Sequence, residues 1–253
     1  MLQSLVTPRS GRQAPLEVSI ARSDGEVCEA QRLRFKVFAE EMGAHIDDAG
    51  RGVDRDMFDP YCEHLIVRDT ATARVVGTYR ILSPAAARRI GGYYAEEEFD
   101  LTRINHLRRQ TVEIGRSCVH MNYRSGATIA LLWAGILRYV QTHGHQYIIG
   151  CASVGMADGG QTAAAIYRQL QATSLCPVEY RAFARCELPL DAYENAAATA
   201  KLPPLIKGYL NVGAWVCSAP AWNPDFNTAD LLMMLPVARM DPRYPRHFLR
   251  GVS

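Results

Sequence analysis

Two charged residues three positions apart, Glu113 and Arg116, interrupt the apolar segment TVEIGRSCV. The alternation and the Val and Ile content of Val112–Val119 predict a buried β-strand. A buried charge requires a partner or a chemical role. A carboxylate in such a place can accept a proton from a substrate. Desolvation raises the pKa of such a group, whereas a nearby Arg lowers it. We therefore assign Glu113 as the candidate general base, and a structural ion pair with Arg116 or Arg80 is the alternative.

A basic glycine turn and an apolar run without Pro follow this strand, and the run predicts a helix largely buried in a core. Free N–H groups at a helix start and the helix dipole favour an anion, and a glycine lets a ligand approach the backbone. An ordinary strand–helix connection is the alternative. The predicted phosphate-binding residues are Arg124, Ser125, Gly126, Ala127 and Thr128.

Two more arginines lie on predicted elements. Arg34 and Phe38 stand one turn apart on a helix predicted from Glu26 to Met42. Arg80 interrupts RVVGTYRIL, a predicted strand, and a mid-strand arginine should face solvent or an anionic ligand. Gly77 in the same strand predicts a bulge or a close backbone approach.

An acidic loop, HIDDAGRGVDRDMFDPYCEH, lies between the helix and the strands. Its spacing lacks the terminal Glu of an EF-hand calcium loop. A solvated turn is the default interpretation, and recognition of a cationic group by Asp56 and Asp59 is the functional one. His64, at the start of the following strand, is a second candidate base, although a lone His there is more often structural.

The later part of the chain predicts a buried strand at YIIGCASV, a short helix over 163–170 and a strand over 178–188. From Leu202 the chain is rich in Pro, Gly and Trp. The run TADLLMML then predicts a core helix or, together with the arginine-rich tail behind it, peripheral contact with a membrane.

Composition is that of an ordinary globular protein, with 253 residues, 48% apolar, 21% charged and a net charge of +2. This charge gives no strong attraction to nucleic acid. The seven cysteines contain no Cys-x-x-Cys pair, which argues against a zinc site or a disulfide framework. The N-terminal segment lacks the apolar core of a signal peptide, and no run approaches the length of a membrane span. We expect a cytoplasmic protein without a metal.

Four spaced pairs occur in a fixed order: Arg34 and Phe38, Asp56 and Asp59, Gly77 and Arg80, and Glu113 and Arg116. In this order they resemble the acyl-homoserine-lactone synthases of the GNAT acyltransferase superfamily. RSGATI keeps the leading Arg and one Gly of that superfamily's Arg-x-x-Gly-x-Gly/Ala turn. The chain differs from the synthases in length and in lacking a Trp soon after Phe38.

A closer resemblance is to the acyl-ACP:ornithine Nα-acyltransferases, sometimes called haemolysin-like. The matching segments are LRFKVFAEEMG, DMFDPYCEHLIV, VVGTYRIL, EIGRSCV and LPPLIKGYLNVGAWVCSAPAWNPDF. They extend from Arg32 to Phe226. The resemblance implies an α/β fold of the GNAT type, with a mixed central sheet flanked by helices. A loose tail (1–15) would precede a single domain (16–253), whose residues 195–253 form a family-specific extension.

The resemblance implies transfer of a (3-hydroxy)acyl group from an acyl-carrier-protein thioester to the α-amine of L-ornithine, forming lyso-ornithine lipid. The donor's phosphopantetheine is then a substrate, and no permanently bound cofactor is implied. We assign catalysis to Glu113, Arg116 and Arg80. The residues assigned to binding the amino acid are Arg34, Phe38, Asp56, Asp59 and His64. Those assigned to the donor are the glycine turn together with Cys118 and Val119, and arginines such as Arg108, Arg109 and Arg138 would dock the acidic carrier.

Alternative functions remain in two classes. The acceptor could be glycine, another amino acid or a signal precursor, as in the lactone synthases. The protein could instead be a non-catalytic sensor of acyl-ACP or acyl chains. The joint presence of Glu113, Arg116 and Arg80 favours an enzyme, because a binding module needs no base in a strand. If membrane contact occurs, it would be at the inner face, where the product lipid belongs.

Overall fold

A computed structural model describes residues 5–6, 15–47, 50–124, 126–193 and 200–240. The strands are β1 (Leu5–Val6), β2 (Leu16–Ile20), β3 (Glu63–Asp69), β4 (Arg74–Leu82), β5 (Phe99–Asp100), β6 (Thr111–Val119), β7 (Tyr147–Gly155), β8 (Phe183–Ala184), β9 (Trp215–Val216), β10 (Ala221–Asn223) and β11 (Thr228–Pro236). The α-helices are α1 (Asp24–Phe35), α2 (Pro84–Ile90), α3 (Gly126–His143), α4 (Gln161–Thr173) and α5 (Pro204–Asn211). A π-helix covers Lys36–Glu41, and 3₁₀ helices cover Asp59–Tyr61, Tyr94–Glu97, Thr102–Gln110, Met121–Tyr123, Val178–Tyr180, Leu190–Tyr193 and Val237–Arg239.

The described residues form two units, and β6 contributes to both. The first contains residues up to Ala86 together with Ile114–His145, and the second contains Ala87–Glu113 and Gln146–Met240. At β1, the N-terminal segment predicted as a loose tail pairs with β2. Residues 200–240 of the predicted extension lie in the second unit and supply three of its strands.

The sheet of the first unit has the order β1-β2-β3-β4-β6, with antiparallel pairing from β1 to β4. The buried helix α3 packs against β2, β3 and β4. A Cβ atom added at Gly77 would lie 3.0 Å from Thr128 Cγ2, and the β3–β4 register shifts beside this glycine. The predicted close approach and bulge are therefore both confirmed.

Helix α1 begins after Ser23, whose Oγ accepts a hydrogen bond from Glu26 N at 3.3 Å. The predicted α-helix continues only to Phe35, because the next six residues adopt a π-helix. Such π-helical turns occur often at functional sites. Leu33 and Val37 pack into a cluster of buried apolar side chains, and Arg34 lies on the same buried side of the helix.

The sheet of the second unit mixes both pairing types. Thr111–Glu113 of β6 pair in parallel with β7, and β11 pairs antiparallel with β7 along its whole length. Strands β9 and β10 also pair antiparallel with β11. The predicted α/β class with a mixed sheet is therefore confirmed, as are the strands at β6 and β7 and the helix at α3.

Two predictions about elements of the second unit are wrong. Every residue of β11 is buried, so TADLLMML forms a strand and not a helix, and its own side chains are not exposed for contact with a membrane. Most of the arginine-rich tail behind it lies outside the described residues. A strand buried on both faces shows no alternation, which makes it resemble a buried helix in sequence. Residues 178–188 form a 3₁₀ helix and only two strand residues, with Phe183 and its neighbouring arginines exposed.

Candidate active site

A buried network of three arginines and three aspartates lies in the first unit; we call it the Arg34 cluster. Its members are Arg34, Asp54, Asp56, Asp59, Arg80 and Arg116. Arg34, whose side chain is 0% exposed, donates through Nε to Asp54 Oδ2 at 2.8 Å. Its Nη2 donates to Asp59 Oδ2 at 3.0 Å. Arg34 of the first predicted pair therefore meets Asp59 of the second.

Arg80 and Arg116 share one carboxylate. Arg80 Nη1 lies 2.6 Å from Asp56 Oδ2, and Arg116 Nη2 lies 3.1 Å from the same atom. Arg80 also donates to Asp59 Oδ2 at 3.1 Å, and Arg116 Nε lies 3.2 Å from Asp54 Oδ2. Arg116 has φ of +51°, which is strained for a residue with a side chain. This strained backbone directs the guanidinium of a strand residue into the cluster.

Paired charges keep Asp59 of the cluster ionised. Burial alone would raise the pKa of Asp59, but the guanidinium groups of Arg34 and Arg80 hold that pKa well below its usual range. Breaking such a pair leaves an uncompensated buried charge, which is strongly destabilising. Asp54 was not among the candidate site residues, although it stands in the acidic loop two positions before Asp56. Its pairing with Arg34 makes it a full member of the cluster.

His64 and Phe38 are both assigned to substrate binding. His64 lies beside the Arg34 cluster, and Phe38 lies in the π-helix that follows α1. His64 is buried, and its Nε2 lies 3.3 Å from Asp59 O. Burial lowers the pKa of His64, against the opposing effect of Asp59. The imidazole is therefore neutral near pH 7. Phe38 lies in the π-helix and packs, partly buried, against the apolar cluster beneath α1.

Glu113 lies in the second unit in a different environment. Its side chain is buried, and its two oxygens accept hydrogen bonds from Tyr94 N and Ala95 N, each at 2.7 Å. These donors begin the 3₁₀ helix Tyr94–Glu97. Hydrogen bonds from backbone N–H groups favour the ionised form of a carboxylate. The two backbone N–H groups therefore fix the position of the Glu113 carboxylate.

Tyr93 anchors the segment that supplies these donors. Its hydroxyl donates toward Thr111 O, at 2.7 Å, and toward Arg108 O, at 2.9 Å. Burial and then the charge of Glu113 raise the pKa of Tyr93 above its usual value, so the hydroxyl stays protonated and remains a donor. The strand that carries Glu113 is thereby tied to the loop that binds its carboxylate.

The predicted phosphate turn is only partly described, because Ser125 lies outside the described residues. Arg124 forms an ion pair with Glu41 and donates to Val119 O at 3.1 Å. Thr128 is buried and donates to Tyr123 O at 2.8 Å. Helix α3 begins at Gly126, where an added Cβ would meet nothing within 4 Å. The open backbone of this turn is therefore at Gly126.

Cys118 lies at the end of β6 in the apolar cluster, and burial raises the pKa of its thiol well above the usual value. The thiolate is the nucleophilic form of cysteine. A buried, protonated thiol does not serve as an acyl acceptor, which agrees with the sequence-based view that a covalent acyl-cysteine does not form.

Comparison with known proteins identifies the family. Residues 33–134 match the acetyltransferase (GNAT) domain, a range that contains the whole Arg34 cluster and Glu113. L-ornithine N(alpha)-acyltransferase of Brucella abortus is 36% identical over 253 residues, which cover 94% of this chain and 90% of the relative. The Rhizobium meliloti protein of the same name is 37% identical over 255 residues, covering 94% and 86%. The chain belongs to the L-ornithine Nα-acyltransferase family.

Two solved structures of acyl-transferring enzymes share the fold of this ornithine acyltransferase family member. An N-acyl amino acid synthase from uncultured soil microbes has a TM-score of 0.55 and 13% identity, covering 88% of this chain and 90% of that chain. A CoA-dependent acyl-homoserine lactone synthase, solved with SAM and isopentyl-CoA, has a TM-score of 0.50 and 13% identity, covering 90% and 82%. The predicted GNAT fold is confirmed. Among the described residues, no helix has the length and apolarity needed to cross a bilayer.

Proposed function

We propose that this protein transfers an acyl group from a thioester to the α-amine of L-ornithine and forms lyso-ornithine lipid. The observation that carries this proposal is the similarity to named L-ornithine N(alpha)-acyltransferases along 94% of the chain. The chain is an N-acyltransferase with a GNAT domain, and its donor is an acyl thioester. Acyl carrier protein, loaded with a 3-hydroxyacyl chain, is the donor that we propose.

Glu113 is the proposed base for this reaction. An α-amino group titrates near pH 8, so most of it must lose a proton at neutral pH before it can attack a thioester carbonyl. The carboxylate oxygens of Glu113 accept the N–H groups of Tyr94 and Ala95, which hold the carboxylate in place to take up the amine proton. The amine nitrogen forms the amide bond, the carbon–sulfur bond breaks, and the departing thiolate takes up a proton.

Binding of the acceptor's carboxylate is the role that we propose for Arg80 and Arg116. Their shared partner Asp56 is the most accessible aspartate of the Arg34 cluster, with 23% of its side chain exposed. Arg34 and Asp59 are almost completely buried and neutralise each other. We therefore propose that Arg34 and Asp59 hold the cluster together and that Arg80 and Arg116 provide its anion-binding side.

The donor's phosphopantetheine is proposed to lie along the end of β6, with Cys118 and Val119, and at the glycine turn. A helix N-terminus that begins with Gly126 and Ala127 is suited to a phosphate, because the first N–H groups of a helix have no partner within the helix and the helix dipole is favourable. Arg124 adds a positive charge there, and binding of the phosphate would replace its ion pair with Glu41. We propose that exposed arginines, Arg109 among them, attract the acidic carrier protein.

The experiment that tests the proposal measures free-thiol release and product mass from 3-hydroxyacyl-ACP with ornithine, glycine, lysine or no acceptor. We expect acceptor-dependent release with ornithine, and a kcat that is roughly 10²- to 10⁴-fold lower for Glu113→Gln. Glu179→Gln, at an exposed position in the same unit, is the matched control and should retain activity. Turnover only with another amino acid would show that this amino acid, and not ornithine, is the acceptor. The absence of acceptor-dependent thiol release would favour an acyl-ACP sensor.

A further inference from the structure

The second unit contains a cavity that none of the assignments above uses; we call it the acidic cavity. Its volume is about 200 Å³, well above the roughly 10–15 Å³ that one water molecule requires. It is bounded by the end of the 3₁₀ helix Tyr94–Glu97, by residues after β8 and by the β10–β11 connection. Its lining residues include Tyr94, Glu97, Glu98, Arg185, Asn223 and Asp225, with Trp222 and Phe226.

The wall of this cavity has a net negative charge, because its lining residues include three carboxylates and one guanidinium. Asp230, which is 3% exposed, is a fourth carboxylate behind the wall. Its Oδ2 accepts a hydrogen bond from Asn223 Nδ2 at 3.2 Å. The same amide donates to Glu98 Oε1 at 3.0 Å. Asp230 Oδ1 is buried and has no hydrogen-bond partner among the described residues. A buried carboxylate oxygen of this kind is costly unless a donor reaches it.

Aromatic side chains complete the wall. Trp222, which is 47% exposed, stands at the opening together with Phe226 and Tyr94. Aromatic faces attract ammonium groups and also pack against methylene groups. A primary ammonium on a short aliphatic chain would satisfy both the carboxylates and the aromatic rings.

The acidic cavity is connected to the proposed base through one residue. Tyr94 lines the cavity, and its backbone N–H donates to Glu113 Oε2 at 2.7 Å. We infer that the acidic cavity binds the side-chain ammonium of the amino-acid acceptor. This inference rests on the proposed function and deepens it, because it assigns the ammonium to residues of the second unit and not to Asp56 or Asp59.

Selection between the two amines of ornithine follows from this placement. The side-chain amine titrates near pH 10, and carboxylates around it favour its protonated, non-nucleophilic form. The α-amine titrates near pH 8 and is the one that can lose its proton to Glu113. The acidic cavity would therefore direct acylation to the α position by holding the other amine as a cation.

The test compares L-ornithine with L-norvaline, which has the same carbon skeleton without the side-chain ammonium. For Glu98→Gln and for Asp225→Asn, we expect kcat/KM for ornithine to fall roughly 10- to 100-fold through KM. The rates with norvaline should stay within twofold of those of the unsubstituted enzyme. Asp225 is exposed, so its variant should fold normally, and Glu179→Gln is the control outside the cavity. Equal losses with both acceptors, or unchanged discrimination, would overturn the inference.

A binding measurement separates this inference from the proposed function. Calorimetric titration of ornithine into the unsubstituted protein and the two variants requires no turnover. Binding that weakens in both variants supports the acidic cavity even if no acylation of ornithine is found, in which case the proposed function alone fails. Binding that is unchanged in both variants overturns the cavity assignment, whatever the turnover assay gives.

Discussion

The Arg34 cluster and the site of Glu113 hold buried charged side chains in different ways. In the cluster, guanidinium groups and carboxylates of distant segments pair with one another. At Glu113, two backbone N–H groups bind the carboxylate. In the cluster, mutually paired side chains hold the acidic loop to α1 and the sheet. At Glu113, the backbone amides hold the carboxylate in the position that the proposed base requires. The first arrangement suits stability, and the second suits chemistry.

The largest expected effect is on stability, from removing the centre of the cluster. Arg34→Ala leaves Asp54 and Asp59 buried without their main partner and should lower the free energy of unfolding by about 3–5 kcal/mol. Arg34→Lys should recover only part of this loss, because an ammonium cannot reproduce the forked contact. Chemical denaturation gives the measurement. Arg32→Ala, at an exposed position of the same helix, should change little. Equal losses for both variants would contradict this view of the cluster.

An intermediate effect on stability is expected from acid. The free energy of unfolding should already fall between about pH 6.5 and pH 5. The pKa of His64 is lowered in the folded state, so the unfolded chain binds its proton more readily. Stability should therefore fall as pH drops below about 6.5, by at most about 1.4 kcal/mol per pH unit for one such group. The pKa of Asp59 is also lowered, and its contribution should be lost at lower pH, below about 4.

His64→Gln isolates the first of these two steps. Denaturation curves recorded between pH 5 and pH 8 should show a weaker pH dependence for this variant than for the unsubstituted protein. His106→Gln, at an exposed position, should keep the original dependence. An unchanged slope in His64→Gln would show that other groups cause the acid sensitivity.

The smallest expected effect on stability sharpens the second half of the comparison. Tyr93→Phe removes a hydroxyl that ties the Glu113 strand to its binding loop, at a cost of about 1 kcal/mol. If Tyr93 positions the loop, kcat should fall with little change in KM. Tyr139→Phe also removes a buried hydroxyl, which donates to Glu63, and should cost similar stability without changing kcat. A similar kcat for the two variants would leave Tyr93 a purely structural role.

The sequence predicted the central strand and helix because their signals are local. Alternation at β6 and an apolar run after a glycine turn each identify one element without reference to the rest of the chain. The four spaced pairs, through the resemblance to a family, also placed Arg34, Asp59, Arg80 and Arg116 among the candidate site residues. The structure places these four in the Arg34 cluster.

Other features could not be predicted, for physical reasons. The donors to Glu113 are backbone N–H groups, which every residue except Pro has, so Tyr94 and Ala95 carry no mark of this role in the sequence. Asp54 lies in a loop where solvated aspartates are the usual case. The acidic cavity joins segments more than a hundred residues apart, such as Glu98 and Asn223. Only the folded chain brings them together.

The position of β11 has a consequence for how the protein is made. Strand β7 ends at Gly155, and its antiparallel neighbour β11 begins only at Thr228. At roughly 5–20 residues per second, a ribosome needs several seconds to synthesise the chain between them. During that interval β7 presents an unpaired edge, which can associate with other chains. The nascent polypeptide therefore passes through an aggregation-prone stage that ends when β11 emerges. A chaperone that shields β7 during this stage would raise the yield of intact enzyme.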